Sequence, residues 1–472
     1  MWVNFDSKQS HYDGKANPYP DLDIFRKTYV GMTDEQFSLG LTRIFNKMRD
    51  LHTLYYKAGP YSCFSLSTGL FFKFVDDSLG SSTPPKVRVV GMNDTPEILD
   101  LIGNVLSAVA VGDELLTING LSFHDWYDQN KFSLGFGAND SGGHRGAFQY
   151  LEGVSGSSNI LPEVDDITFQ LKRLAPTSLR QKRSALGNGA ELSGNNTLHR
   201  RDADIHRRSY WGSVQFEDTK IDDLTWTIWK NRGRNMGVIR IDSFSPVLKD
   251  TKEDTNFMVL IVTIRDLLVN QLKDTDSVLF DVRGNGGGLI SAADGIIQLF
   301  KPDVTASQFR YLKNEVTKDL FYNGPDRGIG TVFGEDETTG GGGANVLSSD
   351  DDYFTDRPLK YIVDPFKAKL TGKTPSHKFY TKITVGIRQL VRSGNYAGQL
   401  IEDNGVKSDV VVRSTIDDIL PGDKGISAYD RIAGYLSDVA QRQMDGKTYF
   451  ISGPYSRFVF SDSVDIPLWL LV

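Results

Sequence analysis

The order of apolar and polar positions divides the chain into helical and extended stretches. From Tyr19 to Asp50 the pattern is helix-rich: Phe37, Leu39, Leu41, Ile44, Phe45 and Met48 follow Thr33-Asp34-Glu35-Gln36. A threonine with a glutamine three residues on can satisfy the first free N–H groups of a helix, so this predicts a helix start. Leu70–Asp76 and Lys86–Val90 predict strands, and in Val111–Gly120 turn residues punctuate two apolar runs, which predicts a hairpin. Gly237–Phe244 predicts the first strand of a core, and Asn256–Lys273 an amphipathic helix leading into a buried strand at Ser277–Phe280. Leu289–Phe300 reads as helix, Thr305–Leu312 alternates as a strand, and Ile432–Met444 reads as a late helix.

Ser277 to Leu289 (SVLFDVRGNGGGL) is the most informative stretch. An apolar strand delivers a glycine turn to a helix, which leaves backbone N–H groups pointing outward with the helix dipole behind them. Such a turn suits an anion, either a phosphate or the oxyanion of an acyl-transfer intermediate. Phosphate is the weaker reading. The P-loop pattern needs Lys and then Ser or Thr after its glycines, where Leu289-Ile290 stand, and the run does not spell G-x-G-x-x-G. A turn used only for tight packing stays open as the third reading.

DVRGNGG after an apolar strand resembles the signature of the C-terminal-processing (tail-specific, tricorn-core-like) serine peptidases. KMRDLHTLYY (Lys47 to Tyr56) resembles the D-x-H-T segment of the branch with a histidine base. GTVFGEDETTGGGGANV (Gly330 to Val346) resembles the acidic, Thr- and Gly-rich stretch beside the active site. LIEDNGVKSDV (Leu400 to Val410) resembles the E-x-x-G-V-x-x-D segment. The four blocks stand in the family's order. The resemblance implies His52 as general base, Glu402 as the carboxylate that orients it, and Gly286 and Gly287 as oxyanion N–H donors. The chemistry asks for these types: an imidazole near neutrality takes the serine proton, and a carboxylate on its other nitrogen fixes the tautomer.

No nucleophile is identified. The resemblance places the serine on a strand-to-helix elbow between the RGNGG helix and the Thr/Gly-rich block. Phe321-Tyr322-Asn323-Gly324-Pro325 resembles the start of that unit, and Asp326-Arg327-Gly328-Ile329-Gly330 resembles the segment after its helix. A strand and a helix take about 16–18 residues plus a turn, and nothing stands between Pro325 and Asp326. The expectation is that strand, serine and helix start are missing together, with a poorly packed or rearranged core around Phe321–Gly330. Ser307 comes too early in the topology to substitute, and Ser348 and Ser349 read as loop residues beside Asp350–Asp352. The chain is then either a truncated or misspliced form of an active enzyme or a pseudoenzyme that binds without cutting.

The chain has 472 residues, 39% of them hydrophobic, with 46 glycines and a formal net charge of −7. This suits a protein of α/β type and argues against nucleic acid as main partner. No apolar run reaches the about 18 residues of a membrane span, and Ile466–Val472 is apolar but too short. A single cysteine, Cys63, excludes an intrachain disulfide. Seven histidines without H-E-x-x-H or a His/Cys cluster predict no metal site, and no cofactor is expected. Met1–Asp6 has no leader character, yet the resemblance points to an extracellular or lumenal protein. Sequons at Asn93, Asn139 and Asn195 would permit glycosylation there.

The fold expected is α/β: a ClpP/crotonase-like core with a helical N-terminal region and a PDZ-like module, the last because VGDELLTING resembles the G-D-x-L-L-x-I-N-G hairpin of such modules. The expected segments are 1–80 (helical, with D-x-H-T), 81–173 (PDZ-like module and flanking strands), 174–210 (disordered basic insert) and 211–472 (peptidase core). Within the insert, Arg180-Gln181-Lys182-Arg183 offers a dibasic processing site. The function implied is a serine endopeptidase of the tail-specific type acting on peptides or proteins, inactive without its serine. A non-catalytic peptide-binding pseudopeptidase is the alternative, and an enoyl-CoA hydratase-like enzyme is the third reading, against which the His52 and Glu402 blocks speak. A homodimer is left open.

Overall fold

The computed structural model describes residues 2–57, 65–78, 82–93, 99–100, 106–160, 167–174, 215–231, 233–300, 308–311, 331–341, 346–348, 382–386, 388–392, 398–419, 428–444 and 468–471. The chain opens with helices α1 (Phe5–His11), α2 (Tyr19–Thr28) and α3 (Asp34–Lys47), then strands β1 (Leu54–Tyr56), β2 (Ser65–Ser67), β3 (Leu70–Val75), β4 (Lys86–Met92) and β5 (Glu114–Ile118). Helices α4 (Phe123–Asn130) and α5 (Asp140–Glu152) follow, with β6 (Gly153–Ser155), β7 (Phe169–Lys172), β8 (Glu217–Asp218), β9 (Leu224–Asn231) and β10 (Arg234–Ile241). Next come α6 (Phe257–Asp266), β11 (Ser277–Asp281), α7 (Ile290–Phe300), β12 (Gln308–Tyr311), β13 (Thr331–Gly334), β14 (Val346–Ser348), β15 (Lys382–Gly386) and β16 (Arg388–Val391). The last are α8 (Ile401–Asn404), β17 (Val410–Val411), α9 (Ala428–Met444) and β18 (Leu468–Leu471).

A seven-stranded sheet in the order β17-β13-β18-β11-β10-β9-β8 forms the larger layer. From β17 to β10 every neighbouring pair is parallel, and β9 and β8 are added antiparallel. Alternation along β10 and β11 sends side chains to both faces. Ile239, Ile241, Val278 and Phe280 pack with Leu260, Ile264, Ile296 and Phe300 of α6 and α7. Met236, Val238 and Leu279 pack on the other face with Tyr429, Ile432 and Leu436 of α9. Covered on both faces, β11 is buried at all five residues, which is why it reads as a continuous apolar run.

A smaller sheet, β3-β4-β5-β7, packs against α4 and α5 through Leu70, Phe72, Val89, Leu115, Ile118, Phe123, Phe148 and Leu151. Val75 and Val90 of this sheet meet Ile416 and Ile419, which follow β17. Buried charges make a second link. Arg283 donates from Nε to Asp281 Oδ1 (3.1 Å) and from Nη2 to Asp281 Oδ2 (2.9 Å), while Tyr429 Oη donates to Oδ2 at 2.5 Å. The third guanidinium nitrogen of Arg283 lies 3.6 Å from Glu335, which also pairs with Lys73 of β3. Burial alone would raise the Glu335 carboxyl, but Lys73 and Arg283 hold it at about 2.

Several expectations change. Gly237–Phe244 is not the first strand of its sheet, because β8 and β9 precede β10. The helix expected over Asn256–Lys273 is α6 followed by a π turn at Leu267–Gln271. The hairpin expected in Val111–Gly120 shrinks to one bridge, Ile118 to Leu121, around Asn119 and Gly120, both at positive φ; β5 instead pairs with β4 and β7. The small sheet takes β3 from before residue 80 and so runs across the boundary expected there. Asn139 is 5% exposed, caps α5 through the Gly142 N–H and donates to the Thr339 carbonyl, so its amide is not available to a glycan. Among the described residues no helix is long and apolar enough to cross a membrane. Cys63, Asn195, Ser307, Ser349, the 175–210 part of the insert and the Pro325–Asp326 junction lie outside the described residues.

Removing one partner from a buried ion pair costs about 3–5 kcal/mol. Arg283→Met leaves Asp281 and Glu335 buried without their shared cation and is expected to lower the urea unfolding free energy by about that amount. A loss under about 1 kcal/mol would show that the network does not fasten the fold.

Candidate active site

The histidine segment is built by its own hydrogen bonds. Helix α3 starts on a reciprocal cap, with Thr33 Oγ1 accepting from Gln36 N–H and Gln36 returning its side-chain oxygen to the Thr33 N–H. It ends at Met48, Arg49 takes a left-handed φ of 54°, and the chain turns into Asp50-Leu51-His52-Thr53. Asp50 is the hub of that turn. Its Oδ1 accepts from the His52 N–H (2.8 Å), and its Oδ2 from Trp2 Nε1 (2.6 Å), Asn4 Nδ2 (3.0 Å) and Thr53 Oγ1 (3.0 Å). Thr53 Oγ1 in turn accepts from the Gly386 N–H in β15. Arg49 is buried against Tyr12 and donates to Tyr127 Oη at 3.0 Å, which anchors the turn to α4.

Glu402 comes to the same place on α8 and is 1% exposed. A ring nitrogen of His52 and carboxylate oxygens of Asp50 and Glu402 all lie within 4.8 Å of one another. The Thr/Gly-rich segment fixes α8 from the other side. Thr339 N–H donates to Val406 O and Val406 N–H to Thr339 Oγ1, each at 2.8 Å. The two backbones approach so closely that a Cβ on Gly341 would sit 1.6 Å from the Glu402 carbonyl oxygen. One on Gly405, whose φ is 63°, would sit 2.2 Å from that of Thr339. Glycine is required at both positions.

Lys8 of α1 is the residue the sequence reading missed. Fully buried, its Nζ lies 3.3 Å from Glu402 Oε1 and 2.9 Å from Asp403 Oδ1, and donates to the Ala138 carbonyl at 3.1 Å. Nothing in the sequence around Phe5–His11 marks it, because the contact joins segments far apart along the chain. Burial would lower the Lys8 amine, but Glu402, Asp403 and Asp50 together hold it above its ordinary value. Burial, with Asp50 and Asp403 near, pushes the Glu402 carboxyl up to about 8, with Lys8 opposing. Burial also holds the His52 imidazole below its ordinary value. His52 Nδ1 and the Glu402 oxygens find no hydrogen-bond partner of good geometry among the described residues. The pair is adjacent, with the His52–Glu402 hydrogen bond unmade.

Asp50, His52 and Glu402 form a group able to hold a cation, where the sequence suggested no metal cluster. Asp50 already accepts four hydrogen bonds, and the Lys8 ammonium fills the charge-balancing position beside Glu402, so the donors are better matched to Lys8 than to an ion.

The glycine turn lies between β11 and α7. Gly286 and Gly287 are exposed, and the space a side chain would take is open at both. The Gly287 N–H donates to Asn285 Oδ1 at 2.7 Å, and its carbonyl accepts from Phe244 N–H. Of the two expected oxyanion donors, Gly286 is therefore the one without a partner among the described residues. No hydrogen bond or ion pair among those residues joins this turn directly to His52 or Glu402. Their connection runs through Arg283 and Glu335 into the 335–341 segment. Ser348 lies in β14, opposite Thr384 of β15, rather than in a loop.

Residues 235–366 match the model of Peptidase family S41, a stretch that holds the glycine turn and the Thr/Gly-rich segment but neither His52 nor Glu402. No curated protein sequence matches the chain. Among solved structures, mature CPAF complexed with lactacystin superposes with a TM-score of 0.52 at 12% identity, over 94% of this chain and 96% of that one. A crystal structure of mature CPAF gives a TM-score of 0.52 at 11% identity, over 95% of each chain. At such identities the likeness is one of fold. Residues 235–366 thus carry the pattern of Peptidase family S41 that the sequence resembled, inside a chain that has the fold of mature CPAF.

Proposed function

We propose that this chain is a serine-peptidase scaffold of the tail-specific processing type, with peptides or proteins as its substrate class and no cofactor. His52 is its general base, Glu402 the carboxylate that orients the imidazole, and Gly286 with Gly287 the oxyanion loop. The layered sheet is its ClpP/crotonase-like core, and the β3-β4-β5-β7 unit its PDZ-like module. An extracellular setting belongs to the same reading. The observation that carries it is the meeting of His52 and Glu402, brought from opposite ends of the sequence to within 4.8 Å and held there by Asp50, Lys8 and Gly341.

The nucleophile is absent from this reading. In this reading His52 and Glu402 serve as base and carboxylate, but no serine follows a strand-to-helix elbow between α7 and β13 in the sequence, so the scaffold binds without cutting. Fluorophosphonate labelling of the folded chain, with peptide mapping and a His52→Ala control, is expected to give no adduct. An adduct that disappears in the control would overturn the inactive reading and name the serine.

Glu402 also makes a prediction about pH. Its carboxyl is raised in the folded chain, so folding retains a proton that the unfolded chain has released. Its contribution is full at acid pH and is lost as pH climbs from the usual carboxylate range through about 8. Urea midpoints of the parent and Glu402→Gln are expected to diverge in favour of the variant as pH rises from 5 to 9. Parallel curves would mean that Glu402 is ordinary in both states.

A further inference from the structure

We infer that the large sheet contains a strand-binding slot between β11 and β13. Its ligand class is an extended apolar peptide running parallel to both, and the chain's own Leu468–Leu471 is the resident ligand.

The sheet order carries the argument. Among the described residues, β13 and β17 join β11, β10, β9 and β8 only through β18, so the seven-stranded sheet there is two pieces bridged by four residues from far along the chain. Both ladders are continuous. Val278, Leu279, Phe280 and Asp281 face Leu468, Trp469, Leu470 and Leu471 on one side, and Thr331, Val332 and Phe333 face Trp469, Leu470 and Leu471 on the other. With β18 paired to it, β11 is buried at all five residues, so an empty slot would leave the backbone N–H and carbonyl groups of that edge without their strand partners. Such a position selects an all-apolar strand, and Leu-Trp-Leu-Leu is one.

The slot also bears on the candidate site. β11 leads directly to Arg283 and the glycine turn, and β13 leads directly to Glu335 and the segment clamped on Glu402. Whatever strand lies between them sets the spacing of those two blocks. The slot adjoins β13, just after the Pro325–Asp326 junction at which the sequence lacks a strand. The inference itself stands on the strand pairing alone.

Hydrogen exchange on the full chain tests it without any variant. Amides of Val278–Asp281, Val332–Phe333 and Trp469–Leu471 are expected to be protected together, each at least about a hundredfold over the free chain. Free exchange at Trp469–Leu471 while Val278–Phe280 stay protected would overturn the slot. A chain ending at Asp465 supplies the second arm, probed with a synthetic peptide of residues 466–472. The expected result is saturable one-to-one binding that raises the urea midpoint, weakened at least about tenfold by Leu470→Pro in the peptide, because proline lacks the N–H a central strand needs. Equal binding of both peptides, or a truncated chain as stable as the parent, would count against the slot. Labelling by fluorophosphonate separately reads whether the proposed scaffold lacks its nucleophile, so failure of either leaves the other standing.

Discussion

Arg283 stands between two carboxylates that belong to different parts of the sheet. Asp281 ends β11 and takes two of its N–H groups, and Glu335 follows β13 and faces the third guanidinium nitrogen. Lys73 brings the small sheet to the same carboxylate. Desolvating these charges is costly, and the cost is offset only while all the partners are present. The glycine turn, the Thr/Gly-rich segment and the smaller sheet are therefore fixed to one another by a single buried cluster. The position of Glu402 follows from it, because residues 339–341 carry the backbone on which α8 rests.

The His52 region repeats this logic with different chemistry. Asp50 gathers donors from Trp2, Asn4 and Thr53, so the turn that bears the histidine depends on the start of the chain. Lys8 reaches from the same start to Glu402 and Asp403. A carboxylate poised near pH 8 beside a buried ammonium can orient an imidazole once it is ionised, and Lys8 favours that ionisation. Under the proposed function, this gives a positioning role to a lysine that touches neither the imidazole nor the glycine turn in any described contact.

What the sequence made legible was local. The cap at Thr33 and Gln36 forms as its spacing implies, and the apolar run before DVRGNGG is a fully buried strand, because a parallel strand covered on both faces has no polar side to show. The blocks at His52 and Glu402 could be picked out only as a set, through resemblance, since neither residue is marked by its own neighbours. Contacts between distant segments stayed hidden. Lys8 has no motif, and Ile466–Val472 could be read only as too short to cross a bilayer. The place of β18 between β11 and β13 is a matter of pairing, which composition does not encode. The sequon at Asn139 failed for the same reason, because the amide is used inside the fold.

The most direct test of the account is a double-mutant cycle on Arg283→Met and Glu335→Gln, read by urea unfolding at constant pH. If the two side chains hold the glycine turn and the Glu402 segment as one unit, the double variant loses less than the sum of the single losses, by about 1 kcal/mol or more. Additive losses, agreeing within about 0.5 kcal/mol, would show that the two blocks are held independently and contradict the account.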